Sequence, residues 1–205
     1  MKITYPDCKP LLKHGDILLF QGSGLTAWAI KTYSYGEYSH VALLDLSNEI
    51  PMCCEMREFK GGRCVSLDSQ IKKIGSEIKK IDVFRLINCI QYDIIDDNGN
   101  PQHVTKIADK NTRDYMISQM LTLTGSNYGW KNIWKIVKHY LPFLRLMKPK
   151  TKDEDISDLH ICSSAVSYCI RTSFDDPVPF LPDHMVTPSD LSRSPLIKYQ
   201  FTIEK

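Results

Sequence analysis

The sequence predicts a mixed α+β fold in which an antiparallel sheet packs against helices. Short β-prone runs at 38–46, 51–57 and 63–67 are punctuated by Asn48 and Gly61-Gly62, the pattern of a meander. Apolar residues recur at helical spacing near 24–34, in 112–125, in 130–147 and from Cys162 to Thr172. With 205 residues, 42% of them hydrophobic and 24% charged, the chain suits one large domain with a sizeable core.

Taken in order, Asp16-Ile17-Leu18-Leu19-Phe20 is an apolar run bounded by His14-Gly15 and Gly22-Ser23-Gly24, and reads as a strand. Leu25, Trp28, Ala29 and Ile30 then place a helix over 24–34, resting on that strand. The three meander strands follow, then a short helical connection at 68–77 and an alternating strand from Lys80 to Leu86. Asp96-Asp97-Asn98-Gly99-Asn100 lies between two β-prone flanks and supplies the positive φ angles of a tight turn, so 90–107 reads as an inserted hairpin. Thr112 caps the next helix, whose apolar positions are Tyr115, Met116, Met120, Leu121 and Leu123. A basic aromatic helix over 130–147 ends at or is interrupted by Pro142, and the charged stretch 148–158 reads as a surface loop. The prolines at 177, 179, 182, 188 and 195 make the tail mostly extended loop, with a last strand from Ile197 to Ile203.

Composition narrows the function classes. A net charge of +2 offers no whole-molecule case for nucleic acid. No charged stretch precedes an apolar one at the N-terminus, so no secretory signal is read and synthesis in a cytoplasm is expected. No run reaches the roughly 18 apolar residues of a membrane-spanning helix. Seven cysteines (Cys8, Cys53, Cys54, Cys64, Cys89, Cys162 and Cys169) are an odd number, read as free thiols in a reducing compartment. Cys53, Cys54 and Cys64, taken with His160 or Cys162, match no standard zinc spacing, so neither metal nor cofactor is expected. The sequence holds no Gly-x-Ser-x-Gly elbow, P-loop, Rossmann fingerprint or His-Glu-x-x-His.

Three residues carry the candidate chemistry. Cysteine reacts as the thiolate, which a helix N-terminus favours, and Cys162 stands at such a start with Val166, Cys169 and Ile170 on the inward face. The same first-turn N–H groups suit an oxyanion. His40 enters an apolar strand, where its ring would be held as a general base. Glu55 sits inside Met52-Cys53-Cys54-Glu55-Met56, and a buried carboxylate is costly unless paired. Orienting an imidazole supplies that pairing. Asp45 and Glu49 are weaker alternatives because both lie near a turn, and His160 is a competing base two residues from Cys162. Each residue also has a plainer reading: a small buried cysteine, a histidine bonded to a backbone carbonyl, a solvated edge glutamate. Ser163 and Ser164 read as helix-start residues. Lys131, Lys135, Lys138, Arg145 and Lys148, among Trp130, Trp134, Tyr140 and Phe143, read as the solvated face of a packed helix in preference to a membrane or polyanion patch.

Taken together, the motifs resemble the circularly permuted branch of the NlpC/P60 papain-like superfamily, in particular the YiiX/YebB group and its poxvirus relatives. The residues that carry the likeness are Gly15-Asp16 with the following strand, Tyr38-Ser39-His40-Val41, Glu55, and Gly61-Gly62-Arg63-Cys64-Val65. Val83-Phe84-Arg85-Leu86, Gly125-Ser126-Asn127-Tyr128-Gly129, Cys162-Ser163-Ser164-Ala165-Val166 and Thr187-Pro188-Ser189-Asp190-Leu191 continue it. It spans about residues 13–192. The resemblance implies a papain-like permuted α+β fold, a single domain over 1–205 with 90–107 and 130–147 as insertions, and Cys162, His40 and Glu55 as nucleophile, base and orienting group. It implies that Tyr38 lies beside the oxyanion, and Ser163 belongs on the same oxyanion or substrate-binding side. Ser164 departs from the glutamate that relatives often carry there. The leading expectation is a cysteine peptidase or amidase acting through a thioester on a peptide or amide substrate, such as a peptidoglycan stem peptide or a γ-glutamyl or isopeptide bond. The alternatives are a lipid acyl hydrolase or transferase at a membrane surface, and a catalytically silent binding module of a virion or toxin system.

Overall fold

The computed structural model describes residues 1–58, 60–126 and 161–205. The expected helix 130–147, the loop 148–158, His160 and the end of the Gly125–Gly129 motif lie outside the described residues. The chain runs β1 (Lys2–Thr4), α1 (Tyr5–Cys8), β2 (Ile17–Gly22), α2 (Leu25–Tyr33), β3 (His40–Asp45), β4 (Met52–Arg57) and β5 (Gly61–Ser66). It continues through α3 (Leu67–Ile71), β6 (Ile78–Leu86), β7 (Cys89–Ile95), β8 (Pro101–Ile107), α4 (Lys110–Thr122), α5 (Cys162–Ser173), α6 (Pro188–Arg193) and β9 (Ile197–Glu204).

Among the described residues seven strands form one sheet in the order β1-β9-β6-β2-β3-β4-β5, and β7 with β8 makes a separate hairpin. Each neighbour pair in the large sheet is antiparallel except β1 with β9. The apolar run of β2 is continuous because the strand is covered on both faces. Ile17 and Leu19 join the core that α4 and α5 close, while Leu18 and Phe20 join a second core with Cys8, Leu67 and Ile71. The helices α4 and α5 pack on each other and on β3 and β4, the strands that carry His40 and Glu55.

Two sequence motifs meet to set the start of β2. Gly15 adopts φ +78°, which L-residues rarely take, and turns the chain into the strand. The buried Asp16 then accepts from Arg85 of β6 through Nε at 2.6 Å and Nη2 at 2.8 Å. This bidentate pair ties two neighbouring strands at one end.

The structure corrects three expectations. The helix over 25–33 exists, but none of its residues is buried, and Leu25 and Trp28 are 80% and 60% exposed. It rests on β2 through a different stripe: Ala27 approaches Gly22, and Lys31 Nζ donates to the Gly22 carbonyl at 2.9 Å. The cap of α4 is Asp109, whose carboxylate accepts from the Thr112 N–H at 2.8 Å, so that helix begins two residues before Thr112. Its Tyr115 and Leu121 are exposed, and Ile117 takes an inward place. The proline-rich tail, expected mostly as loop, folds into a 3-10 turn (Asp183–Met185) and α6. Pro188 falls in the first turn, where its missing N–H costs nothing, and Thr187 with Asp190 forms a reciprocal capping box.

Candidate active site

The antiparallel register places Glu55 on β4 beside the strand that His40 opens, and both side chains are buried. The His40 Nε2–H donates to Glu55 Oε2 at 2.6 Å. The other carboxylate oxygen, Oε1, accepts from Arg63 Nε at 2.9 Å and from Arg63 Nη2. Arg63 stands directly opposite Glu55 on β5. Glu55 is thus held between two cations, and both of its oxygens are used.

Cys162 is the first residue of α5 and is 2% exposed. It interacts electrostatically with His40. With Nε2 committed to Glu55, Nδ1 is the ring nitrogen that this carboxylate leaves open. Burial alone would push the His40 imidazolium to deprotonate early. The negative charges that Cys162 and Glu55 can carry, with their hydrogen bonds, outweigh burial and raise the ring from 6.5 to about 9. Burial likewise opposes the Glu55 anion, yet His40 and then Arg63 bring it from 4.5 down to about 2.

The backbone around the pair is pinned from several directions. The Ser163 hydroxyl donates to the Val186 carbonyl at 2.6 Å, which ties the Cys162 turn to the entry of α6. Ser189 of α6 accepts from the Tyr38 N–H at 3.4 Å, two residues before His40. A Cβ on Gly36 would sit 2.1 Å from Ser189 Oγ, so only glycine lets α6 come that close. Ser167 and Arg171 both bond Asp183, fixing α5 against the 3-10 turn. Phe20 packs tilted against the His40 ring, with centroids 5.4 Å apart. Among the described residues no side-chain hydrogen bond caps the N-terminus of α5.

Tyr38 is buried, and its hydroxyl donates to Asp82 at 2.6 Å, so the group that the family likeness would lend to an oxyanion is occupied by a carboxylate. Asp45 bonds the Ser47 N–H, and Glu49 is exposed near the β3–β4 turn; neither is paired with His40 in the structure. Ser164 Oγ is buried without a hydrogen-bond partner among the described residues. Sequence reasoning did not assign Arg63 a role. Its signal was present: Glu55 and Arg63 are placed symmetrically about the turn that follows Arg57, and a hairpin pairs such residues. A cleft of about 390 Å3 opens against His40, lined also by Gly24, Leu25, Ala27, Arg57 and Glu58.

No family model matches this chain, and no curated protein matches it. Among solved structures it is similar to the metalloprotein YiiX from Escherichia coli O157:H7, a DUF1105 protein. The two share 16% sequence identity and a TM-score of 0.50, over 92% of this chain and 96% of that one. The likeness is one of fold: a mixed α+β arrangement with a sheet packed against helices.

Proposed function

We propose that the protein is a cysteine hydrolase of the permuted papain-like kind, with Cys162 as nucleophile, His40 as base and acid, and Glu55 as the group that orients His40. One observation carries the reading: a buried histidine is bonded to a buried carboxylate at 2.6 Å and interacts electrostatically with a cysteine that opens a helix. Cys162 attacks the carbonyl carbon of an amide, and the first-turn N–H groups of α5, Ser163 among them, hold the developing oxyanion. His40 gives its proton to the departing amine, leaving a thioester on Cys162. Water then attacks the thioester with His40 taking its proton, and the acid product leaves with the thiol restored. Arg63 neutralises the outer oxygen of Glu55, so the carboxylate stays ionised beside the imidazolium. Peptide or related amide bonds, stem peptides of peptidoglycan among them, are the substrates this chemistry suits.

The solved structure this fold resembles is described as a metalloprotein. The donor set here does not fit an ion at this site. Both Glu55 oxygens and His40 Nε2 are already bonded to protein, and no group of three or more His, Cys, Asp or Glu among the described residues is placed to hold a metal.

A second reading, acyl-lipid hydrolysis, has an observation of its own. Leu25 and Trp28 of α2 face solvent, and Leu25 also lines the cleft at His40, as an apolar chain delivered from a surface would require. The test compares wild type with Cys162→Ala on peptidoglycan sacculi and on phospholipid vesicles. Wild type should release product from one of the two, with a thioester mass adduct on Cys162, and the variant should fall by more than about 1,000-fold. Vesicle binding at low salt that Leu25→Ser with Trp28→Ser abolishes would favour lipid. Turnover unchanged in Cys162→Ala would overturn the catalytic assignment and leave a binding role for the fold.

A further inference from the structure

Cys54 on β4 and Cys64 on β5 stand directly opposite each other, and their sulfurs are 2.7 Å apart. Carbon atoms in contact settle at about 3.5–4.0 Å and sulfur is larger than carbon, so these two sulfurs are held unusually close. Opposed residues of an antiparallel pair have Cα atoms about 4.5 or 5.5 Å apart. Both spacings fall within the roughly 4.4–6.8 Å that a disulfide spans. The strand register has thus already aligned the pair.

The two thiols are unequal. Cys54 is 1% exposed and packs in the core under α4 and α5, while Cys64 is half-buried at its edge. The hydrogen bond between them, with burial, raises Cys54, while the same bond brings Cys64 from 9.0 to about 7. An accessible attacking thiolate beside a buried resolving thiol is the arrangement that thiol–disulfide exchange needs.

We propose that Cys54 and Cys64 form a reversible thiol–disulfide site whose oxidant is a small disulfide of the glutathione class. The Cys64 thiolate attacks one sulfur of the glutathione disulfide. The S–S bond breaks, one glutathione leaves as thiolate and takes up a proton, and the other stays on Cys64. Cys54 loses its proton to solvent and attacks the Cys64 sulfur, expelling the second glutathione, which is protonated in turn. Two electrons pass from the cysteine pair to the glutathione disulfide, which becomes two glutathione thiols. The new bond joins β4 to β5 one rung from the Glu55–Arg63 pair. Alternation puts that pair on the other face of the sheet, so the link braces its strands without touching its side chains. The inference rests on the strand register and stands independently of the hydrolase reading.

The experiment treats the full chain, natively folded, with oxidised glutathione or with dithiothreitol, then denatures it, alkylates free thiols and maps peptides by mass spectrometry. Oxidation should remove Cys54 and Cys64 from the alkylatable thiols and join their two peptides. Dithiothreitol should restore both. In Cys54→Ala, glutathione should remain trapped on Cys64, and in Cys64→Ser no linked peptide should form. Recovery of both cysteines as free thiols after oxidation would overturn the proposal. So would a stable glutathione adduct on wild-type Cys64, or a link to Cys53 in place of Cys54.

Discussion

Replacing Glu55 with glutamine isolates the charge that holds the site together. Glutamine has the shape of a protonated glutamic acid, so the variant approximates Glu55 with its ionisation removed. The folded protein holds this carboxyl at about 2, against an ordinary 4.5, through His40 and Arg63 working against burial. At about 1.4 kcal/mol per pH unit, the difference is worth about 3 kcal/mol at pH 7. A depressed acid stabilises the fold above its unfolded value, and that contribution disappears as pH falls through the folded value. The same relation leaves about 1 kcal/mol at pH 3 and less than about 1 kcal/mol at pH 2. Urea unfolding of wild type and Glu55→Gln at these three pH values reads the gap directly. The expected result is a variant less stable by about 3 kcal/mol at neutral pH, with the difference shrinking towards acid. A gap that stays constant between pH 7 and pH 2, or no gap at neutral pH, would refute the claim that paired charge is what buries Glu55.

Two further outcomes follow from the same geometry. His40 is raised to about 9 against burial, by Cys162 and then Glu55, so its imidazolium is kept through neutral pH and lost as pH rises through about 9. Hydrolysis that needs this proton for the leaving group should fall along an alkaline limb near that value. Imidazole NMR titration of Cys162→Ala should show His40 titrating at lower pH than in wild type; an unchanged midpoint would separate the two residues. Gly62 packs so tightly that a Cβ there would stand 1.8 Å from the Leu123 carbonyl oxygen, and its backbone bonds Gly125 and Ser126. Gly62→Ala must push β5 away from the end of α4 and should cost about 1–3 kcal/mol or more in thermal or urea unfolding. Wild-type stability in that variant would show the contact to be dispensable.

Much of the sheet was legible because its strands carry local signals. The runs at 38–46, 51–57 and 63–67 became β3, β4 and β5, and the Asn-Gly turn became the β7–β8 hairpin. The exposure of α2 was not legible, because Leu25, Trp28 and Ile30 have the spacing of a buried face whether or not anything covers it. Nor was α6, since prolines read as breakers until Thr187 and Asp190 are seen to cap each other around Pro188. The same tertiary placement turned Thr187-Pro188-Ser189-Asp190 from a loop motif into a clamp on the segment before His40.

What the sequence determined by itself is where the candidate residues stand: a cysteine at a helix start, a histidine at a strand entry and a glutamate within an apolar run. Those are properties of neighbours along the chain, set by period and by the cost of burying charge. That Glu55 lies beside His40, that Arg63 takes its other oxygen, and that Cys54 faces Cys64 were decided by strand register. A one-residue slip of a strand would turn its side chains to the opposite face of the sheet, and register is set only when the whole core closes over both sides.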